Sequence, residues 1–329
     1  MAHSPPQTMT TWQRFWDYPI TRIFAFLFLF LAIMIGLSVI ALLDARTVSH
    51  LGQAVMIEIS IVAEAVAVVL AFSIMVRLAD KRSLDSAGFA IRGLVTETTT
   101  GYLIGVAMLS VVIGLMAVTG VYHVIGRSSH FHLLLPLGLF LCVAVAEETM
   151  FRGYIFQTLE KRWGSGIALI GSSLAFGIAH VLNTLPNGFS WQHMTGPVFI
   201  CFEAGVPLAA GYMLTRRLWL PIGLHWAWNF FEGPIYGADV SASRGSGLSF
   251  DTLYQARFTG PPWLTGGAFG PEASVIALIV GTIAGLLLLR VAIRAGQWKS
   301  GEQLAPDTGV IQPESGEPPQ AEDHGKETL

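Results

Sequence analysis

Two adjacent carboxylates, Glu147 and Glu148, follow an apolar run that extends from Leu133 to Ala146. Ionisable side chains beside a membrane-length apolar segment are energetically costly, and for that reason they are functional candidates. Glu148 and Arg152 are four residues apart, so they share one helix face and can form an ion pair. Glu147 lies about 100° around the helix and can point elsewhere. One carboxylate can thus stay ionised beside Arg152 while its neighbour transfers protons, although the same arginine can also orient both.

Two later segments supply polar partners for these carboxylates. Phe176 and His180 are four residues apart and therefore share one helix face. His225 and Asn229 have the same spacing. In lipid such side chains are expected to turn toward one another, because lipid offers them no hydrogen-bond partners. The carboxylate pair and these two segments together predict a candidate active site.

The chain distances between these groups predict their depth. Glu147 lies 17 residues before Gly164 and His180 lies 16 residues after it, in a segment whose glycines and basic residues indicate a cytoplasmic turn. If both arms are helical, the two side chains lie at nearly the same level of an antiparallel helical hairpin. His225 follows the basic pair Arg216-Arg217 by eight or nine residues, or about 13 Å of helix. A cluster roughly a dozen ångströms below the cytoplasmic surface satisfies both distances.

The composition indicates a membrane protein. Of the 329 residues, 53% are hydrophobic and only 12% are charged, and the mean hydropathy is +0.58. Soluble proteins carry about 25% charged residues, and the repeated apolar runs here have nearly the length that crosses a bilayer. The sequence therefore predicts an all-α, polytopic membrane protein with about eight transmembrane helices. The predicted spans are 23–43, 54–76, 101–122, 131–150, 167–185, 196–214, 218–235 and 273–293.

The basic residues predict the orientation of these spans. With the N-terminus inside, 15 of the 19 Lys and Arg residues fall in cytoplasmic segments. Such an asymmetry places both termini in the cytoplasm. We divide the chain into a cytoplasmic N-terminal segment (1–22), a membrane domain (23–295, with the motif core at about 130–235) and a cytoplasmic tail (296–329). The tail is rich in Pro, Glu and Gly and poor in apolar residues, so it is predicted to be disordered.

Charge and cysteine content exclude other classes. The net charge is −3 and there is no basic patch with interleaved aromatic residues, so nothing indicates nucleic-acid binding. Cys142 and Cys201 both lie inside apolar runs, so a disulfide framework is not predicted.

The three motifs, Glu147-Glu148-x-x-x-Arg152, Phe176-x-x-x-His180 and His225-x-x-x-Asn229, resemble those of the CPBP family of intramembrane proteases. This family includes the CAAX prenyl endopeptidases of eukaryotes and the bacterial Abi, or bacteriocin-immunity, proteins. The resemblance covers about residues 130–235, and the eight-span layout is similar to the family architecture. The segment Trp263–Glu272 is also similar to one in bacterial members.

The resemblance implies hydrolysis of peptide bonds inside the membrane. By that resemblance Glu147 acts as the general base on a water molecule, and Glu148 and Arg152 maintain its charge and position. Burial raises the pKa of a carboxylate and a nearby cation lowers it, so the pKa can approach the range useful for a general base. The implied partners are the lipid bilayer and a membrane-associated peptide or protein substrate.

The resemblance also implies roles for the remaining polar residues. His180 and His225 would bind or polarise the water, and Asn229 would help to stabilise the oxyanion. Two His and one Glu are also the ligand set of a catalytic zinc ion with an open position, so His180 and His225 are candidate metal ligands. The chain has no His-Glu-x-x-His, however, and the same groups can activate water unaided, so the sequence leaves a zinc cofactor open.

Two functions of other classes remain as alternatives. A proton-coupled transporter would use a relay of intramembrane carboxylates, for which the candidates are Glu58, Glu64, Glu147 and Glu203. The sequence shows no duplicated halves, which transporters often carry. A non-catalytic membrane scaffold is the second alternative, and the complete motif set argues against it.

Within the proteases, a rhomboid-like serine enzyme would pair Ser165 with His225, but this leaves the two adjacent carboxylates unexplained. The compact outer loops and the motif variants resemble those of bacteria, so we expect a multi-pass protein of a bacterial plasma membrane.

Overall fold

The computed structural model describes residues 11–43, 51–129, 131–132, 134–184, 191–242 and 251–301. These residues are mostly helical, as predicted. The helices are α1 (Thr11–Asp17), α2 (Pro19–Leu43), α3 (Gln53–Ile74), α4 (Leu94–Val118), α5 (Leu134–Glu148), α6 (Gln157–Thr184), α7 (Trp191–Glu203), α8 (Gly205–Thr215), α9 (Trp219–Phe230), α10 (Pro262–Thr265) and α11 (Val275–Arg294).

Shorter elements extend or connect these helices. π-helical segments continue α3 (Met75–Ala79), join α5 to α6 (Thr149–Phe156) and continue α9 (Phe231–Ile235). Two 3-10 turns precede α4 and α11, at Asp85–Ala87 and Pro271–Ala273. The strands are β1 (Tyr122–Arg127) and β2 (Tyr254–Phe258).

Each of the eight predicted spans corresponds to a helix, which confirms a polytopic all-α membrane protein. Among the described residues, six helical segments are long and apolar enough to cross a membrane: Pro19–Ala41, Gln53–Ala79, Leu94–Val118, Leu134–Thr184, Met194–Thr215 and Val275–Arg294. The 51-residue segment bends at Gly164 and accounts for two predicted spans. The remaining predicted span, 218–235, corresponds to α9 and its π-helical extension, which is shorter than the others.

The third predicted span, 101–122, is misplaced at both ends. The helix α4 begins at Leu94 and ends at Val118, because the threonine-rich residues 96–100 are helical. Gly120 then takes a positive φ of 73°, which turns the chain into β1. The strand pairs antiparallel with β2, with Tyr122 opposite Phe258. This sheet joins two segments that the hydropathy pattern left as loops, since its short strands carry no span-length apolar signal.

Glycines bring α4 and α9 into close contact. A Cβ atom at Gly101 would lie 2.0 Å from the carbonyl oxygen of Leu220, and one at Gly105 would lie 2.4 Å from that of Leu224. Gly223 of α9 approaches the carbonyl oxygen of Thr98 in the same way. Small residues permit this backbone approach in membrane helices. The contact fixes α9, which carries His225, against a long neighbouring helix.

Basic residues that were assigned to the cytoplasm meet at one end of the helical assembly. Arg216 donates to Glu160 at 2.6 Å, and Lys299 lies 3.7 Å from the same carboxylate. Arg217 donates to Glu97, in the first turn of α4, at 2.8 Å. Because α4 has 25 residues, its other end, where β1 follows, lies about 37 Å away. These basic residues thus lie at one end of the assembly, and the assignment of that end to the cytoplasm stays a prediction.

The bend at Gly164 is held by the chain that follows α11. Gly164 has φ 82° and ψ 171°, and the N–H of Ser165 donates to the carbonyl of Lys299 at 2.9 Å. A side chain at Gly164 would collide with the backbone at Gly301. Residues 296–301 of the predicted tail thus contact the membrane domain, whereas residues 1–10 and 302–329 lie outside the described residues and their predicted order stays a prediction.

Candidate active site

The predicted ion pair between Glu148 and Arg152 is present and fully buried. Glu148 is the last residue of α5, and Arg152 lies in the π-helical segment that follows. Arg152 Nη1 donates to Glu148 Oε1 at 2.9 Å, and both side chains have 0% exposure. Arg152 Nη2 donates to the carbonyl oxygen of Gly205 at 3.2 Å, at the break between α7 and α8. π-helical segments are frequent at functional sites, and this one carries a buried cation.

His225 is oriented by the same carboxylate. Its Nδ1 lies 2.9 Å from Glu148 Oε1, and because the ionised carboxylate only accepts hydrogen bonds, Nδ1 is the protonated nitrogen. In the neutral ring this leaves Nε2 as an acceptor. Nε2 lies 3.8 Å from Glu147 Oε2. The pair Glu148–Arg152 thus fixes the imidazole, and the imidazole presents its free nitrogen to Glu147.

Glu147 differs from Glu148 in its solvent exposure and in its hydrogen-bond partners. Its side chain keeps 25% of its exposure, whereas Glu148 has none. Its Oε2 atom is buried and makes no hydrogen bond with any described residue. Two acceptors separated by 3.8 Å are close enough to share a bridging donor. The phase difference that the sequence predicts between the two carboxylates is therefore realised as a difference in partners.

Phe176 connects the arginine to both histidines. Arg152 Cζ lies 4.5 Å from the centre of the phenyl ring, within the range of a cation–π contact. The ring centroids of Phe176 and His180 are 4.6 Å apart, and those of Phe176 and His225 are 5.9 Å apart. The phenylalanine of the second motif thus packs the site together. The sequence analysis quoted this residue but assigned it no role.

His180 has a fixed ring orientation of its own. Its Nδ1 lies 2.8 Å from the carbonyl oxygen of Phe176, one turn earlier in α6. A carbonyl only accepts, so Nδ1 carries the proton and Nε2 is an acceptor in the neutral ring. His180, His225 and Asn229 line one cavity. The structure thus brings the two histidines and the asparagine to one space, and Glu147, Glu148 and Arg152 adjoin it through His225.

Three further carboxyl groups lie on or behind this cavity, and we call them the acidic cluster. Glu203 ends α7, Glu232 lies in the π-helical extension of α9, and Glu272 lies in the 3-10 turn before α11. Their exposures are only 1%, 0% and 3%. Glu203 and Glu272 line the cavity together with Ser241. Glu232 faces the carboxyl groups of both other members.

Ser241 is the hydroxyl donor of the acidic cluster. Ser241 Oγ donates to Glu272 Oε1 at 2.5 Å, from a serine whose backbone has a positive φ of 48°. Burial raises the pKa of Glu272, which lies outside the membrane-spanning helices, above its ordinary value, and this serine opposes the shift. Neither side-chain oxygen of Glu203 has a hydrogen-bond donor among the described residues, whereas Glu232 contacts the side chain and backbone of Glu272. This part of the cavity is therefore polar and acidic, and no described residue supplies it with a matching cation.

Only part of this cluster is predicted from the sequence. Glu203 is a candidate for the carboxylate relay of a transporter, and Glu272 is the last residue of the Trp263–Glu272 segment. Glu232 and Ser241 were missed. A signal for Glu232 exists, because it lies three residues after Asn229 in an apolar sequence and so falls near the same helix face. Ser241 has no such signal, since a loop brings it to the cavity.

Other candidates from the sequence lie elsewhere. The hydroxyl of Ser165 donates to Glu160 Oε1 at 2.6 Å, within the network at the Gly164 bend, which gives it a structural contact. Glu58 and Glu64 both lie on α3, whose residues do not line the cavity.

The fit to a metal ion is poor in this conformation. Within the parts of the chain that the structure describes, no three His, Cys, Asp or Glu side chains converge as metal ligands do. Glu148 already binds the Nδ1 atom of His225, and the Phe176 carbonyl binds that of His180. The described side chains therefore do not form a ready ligand set for zinc.

Comparison with known proteins gives one family. Residues 128–231 match the model described as "Rce1-like: Type II CAAX prenyl endopeptidase Rce1-like", and this segment is about a third of the chain. It contains all seven motif residues and Glu203, whereas Glu232, Ser241 and Glu272 lie beyond it. No curated protein and no solved structure matches the chain. The matched segment, which holds the paired carboxylates and both histidines, supports the resemblance to the CPBP family of intramembrane proteases.

Proposed function

We propose that the protein hydrolyses peptide bonds of membrane-associated substrates, with Glu147 as the general base. The observation that carries this proposal is the 3.8 Å separation of Glu147 Oε2 and His225 Nε2, because both atoms are acceptors when the imidazole is neutral and Glu147 Oε2 has no hydrogen-bond donor among the described residues. A water molecule between them would donate one proton to each. Its oxygen would then present a lone pair to a peptide carbonyl.

The reaction follows from these positions. As the water oxygen attacks the carbonyl carbon, Glu147 accepts a water proton and the carbonyl oxygen becomes an oxyanion. Collapse of the tetrahedral intermediate breaks the C–N bond, and the proton held by Glu147 passes to the leaving nitrogen. The products are a carboxylic acid, which keeps the second proton of the water, and an amine. General-base catalysis of this kind contributes about 10²- to 10⁴-fold to a rate.

The remaining motif residues position the reactants. Glu148, held by Arg152, keeps His225 in the tautomer whose Nε2 accepts. Asn229 lines the cavity one turn beyond His225 and offers an amide donor to the oxyanion. His180 in its neutral form is an acceptor at Nε2, so we assign it to binding the water or the N–H of the scissile bond.

A zinc-dependent version remains a separate proposal, with His180 and His225 as its candidate ligands. It would supply a Lewis acid to polarise the substrate carbonyl. Metal analysis of purified protein that cleaves peptide decides between the two versions: activity at a metal-to-protein ratio near zero supports the metal-free mechanism, and activity proportional to bound zinc contradicts it.

We also place the protein in the plasma membrane of a bacterium, as a multi-pass protein with both termini in the cytoplasm. The asymmetry of the basic residues supports the orientation.

The experiment that tests the function is peptide cleavage by the purified protein in proteoliposomes. Wild-type protein should cleave a membrane-associated peptide, and His225→Ala should lose this activity. His132→Ala is the matched control, since His132 is an exposed histidine that pairs with Asp251, and neither residue lines the cavity. Equal cleavage by all three proteins contradicts the proposal. Proton flux without cleavage in the same liposomes would favour the transporter instead.

A further inference from the structure

The acidic cluster carries a charge imbalance that the hydrolytic mechanism does not use. Glu203, Glu232 and Glu272 are buried. The buried cation of the motifs, Arg152, is already bound by Glu148 and the Gly205 carbonyl. A buried carboxylate is stable only when it is paired or protonated. Two facing carboxylates cannot hydrogen-bond to each other unless one carries a proton, since both only accept. The cluster therefore either shares protons or receives a cation.

The geometry favours a cation that enters from the cavity. Glu203 is 99% buried and lines the cavity, yet neither of its oxygens has a donor among the residues described. Glu272 lines the same cavity and is oriented by Ser241. His180, His225 and Asn229 line the rest of it. An occupant of the acidic side thus lies next to the groups to which we assign the scissile bond.

The chemistry of the site favours an ammonium or guanidinium group over a metal ion. Metal ions require ligand oxygens that converge at about 2.0–2.6 Å from one point. No group of three described carboxylate, thiol or imidazole side chains has that convergence. An alkylammonium ion donates three hydrogen bonds over longer distances and can reach separate carboxylates, and guanidinium donates five.

We propose that Glu203 and Glu272, with Glu232 behind them, form a specificity subsite for a Lys or Arg side chain of the substrate peptide, close to the scissile bond. The proposal rests on the proposed function, because it assigns the adjoining cavity to peptide cleavage. When the cation binds, it replaces the shared protons, which leave to solvent, so the charge of the buried cluster stays balanced. Ser241 engages the carboxyl group of Glu272, which Glu232 also contacts, and the unpartnered oxygens of Glu203 remain for the ligand.

The test uses pairs of peptides that differ at one position. One member carries Lys and the other norleucine, which has the same four-carbon chain without the charge. The position is moved through four residues on each side of the cleaved bond, and kcat/KM is measured in proteoliposomes. At one position the wild-type protein should prefer Lys by about 10- to 100-fold, the value expected for hydrogen bonds to a charged group.

The variants Glu203→Gln and Glu272→Gln should reduce this Lys-to-norleucine ratio toward one, mainly through KM. Glu58→Gln is the matched control, since it makes the same change on α3, outside the cavity lining, and should keep the wild-type ratio. The ratio is measured within one preparation, so a partly folded variant does not distort it. Equal cleavage of both peptides by wild-type protein, or an unchanged ratio in both variants, overturns the subsite.

A binding measurement separates this inference from the proposed function. The same peptides are added to wild-type protein in detergent micelles, and the shift in melting temperature is recorded. A larger shift with Lys than with norleucine, which is lost in Glu203→Gln, supports the subsite even if no peptide is cleaved. The absence of a Lys preference in wild-type protein overturns it. If no peptide is cleaved but Lys binding is preferred, the hydrolytic function fails and the cation site stands.

Discussion

Two buried charged groups of residues lie side by side in this protein, and they are built in opposite ways. In the first group, the Glu148 carboxylate accepts hydrogen bonds from both Arg152 and His225. In the acidic cluster, Glu203 has no donor among the described residues, and Glu232 faces the carboxyl groups of Glu203 and Glu272. Both groups are equally inaccessible to solvent, so burial alone does not distinguish them.

The difference indicates separate tasks. A buried ion pair with good hydrogen bonds fixes the geometry of its members, because breaking it leaves an uncompensated charge. The charge state of an unpaired buried acid instead depends strongly on any charged group that enters its surroundings. We therefore assign the paired group to positioning His225 and the unpaired group to recognition of a positively charged ligand.

The largest expected effect on stability is the removal of the arginine from the paired group. Arg152→Gln should lower the free energy of unfolding by about 3–5 kcal/mol, because Glu148 would remain buried without its main partner. The measurement is equilibrium unfolding in detergent micelles. The control is Arg217→Gln, whose partner Glu97 belongs to a pair that is partly exposed, and it should cost about 0–1 kcal/mol. Equal losses in the two variants would contradict the distinction between buried and surface pairs.

The same substitution should act in opposite directions in the two groups. Glu148→Gln removes charge-assisted hydrogen bonds to Arg152 and His225, so the free energy of unfolding should fall by about 1.5–3 kcal/mol. Glu232→Gln removes a fully buried carboxyl group that faces two other buried carboxyl groups, so stability should be unchanged or higher. Unfolding in the same micelles measures both. A loss at Glu232 as large as that at Glu148 would mean that the acidic cluster also holds the fold together.

The smallest expected effect is on the pH dependence of stability. Burial raises the pKa of Glu272 in the folded protein above its value in the unfolded chain, so the folded state binds more protons between these two values. Its contribution is therefore most favourable below the ordinary carboxyl pKa and is lost as the pH rises through the raised pKa. The groups that face Glu272 are Glu232, Glu203, His180 and Ser241.

The melting temperature, recorded as a function of pH, measures this contribution. The decrease with rising pH should be shallower in Glu272→Gln than in wild-type protein, because glutamine does not titrate. The control Glu58→Gln should follow the wild-type curve. Parallel curves for wild type and Glu272→Gln would show that Glu272 has no raised pKa in the folded protein.

Much of this architecture follows from local patterns in the sequence. The eight apolar runs predict the helices, and the spacing of Glu148 and Arg152 predicts their ion pair, because both depend on neighbours in sequence. The glycine at position 164 predicts the bend that brings His180 back along the membrane. The π-helical segment that follows Glu148 has no pattern of its own, since α- and π-helical turns use the same residue types.

The unpredicted parts depend on contacts between distant segments. Ser241 and Glu272 reach the cavity from a loop and a short turn, and no periodicity in the sequence places them there. The pairing of β1 with β2 joins residues more than a hundred positions apart along the chain. The hydrogen bond between Glu148 and His225 spans 77 positions, so the sequence predicts that the motifs meet but not which carboxylate takes the imidazole.

The central claim is that Glu147 acts on the substrate whereas Glu148 holds the site. The most direct test is the rate of peptide cleavage by Glu147→Gln in proteoliposomes, measured with its melting temperature and compared with Glu58→Gln. Glu147→Gln should lose about 10²- to 10⁴-fold in kcat. It should melt close to the wild-type temperature, since Glu147 Oε2 has no donor in the described part of the chain. A Glu147→Gln protein that cleaves at the wild-type rate would contradict the assignment of this carboxylate as the base.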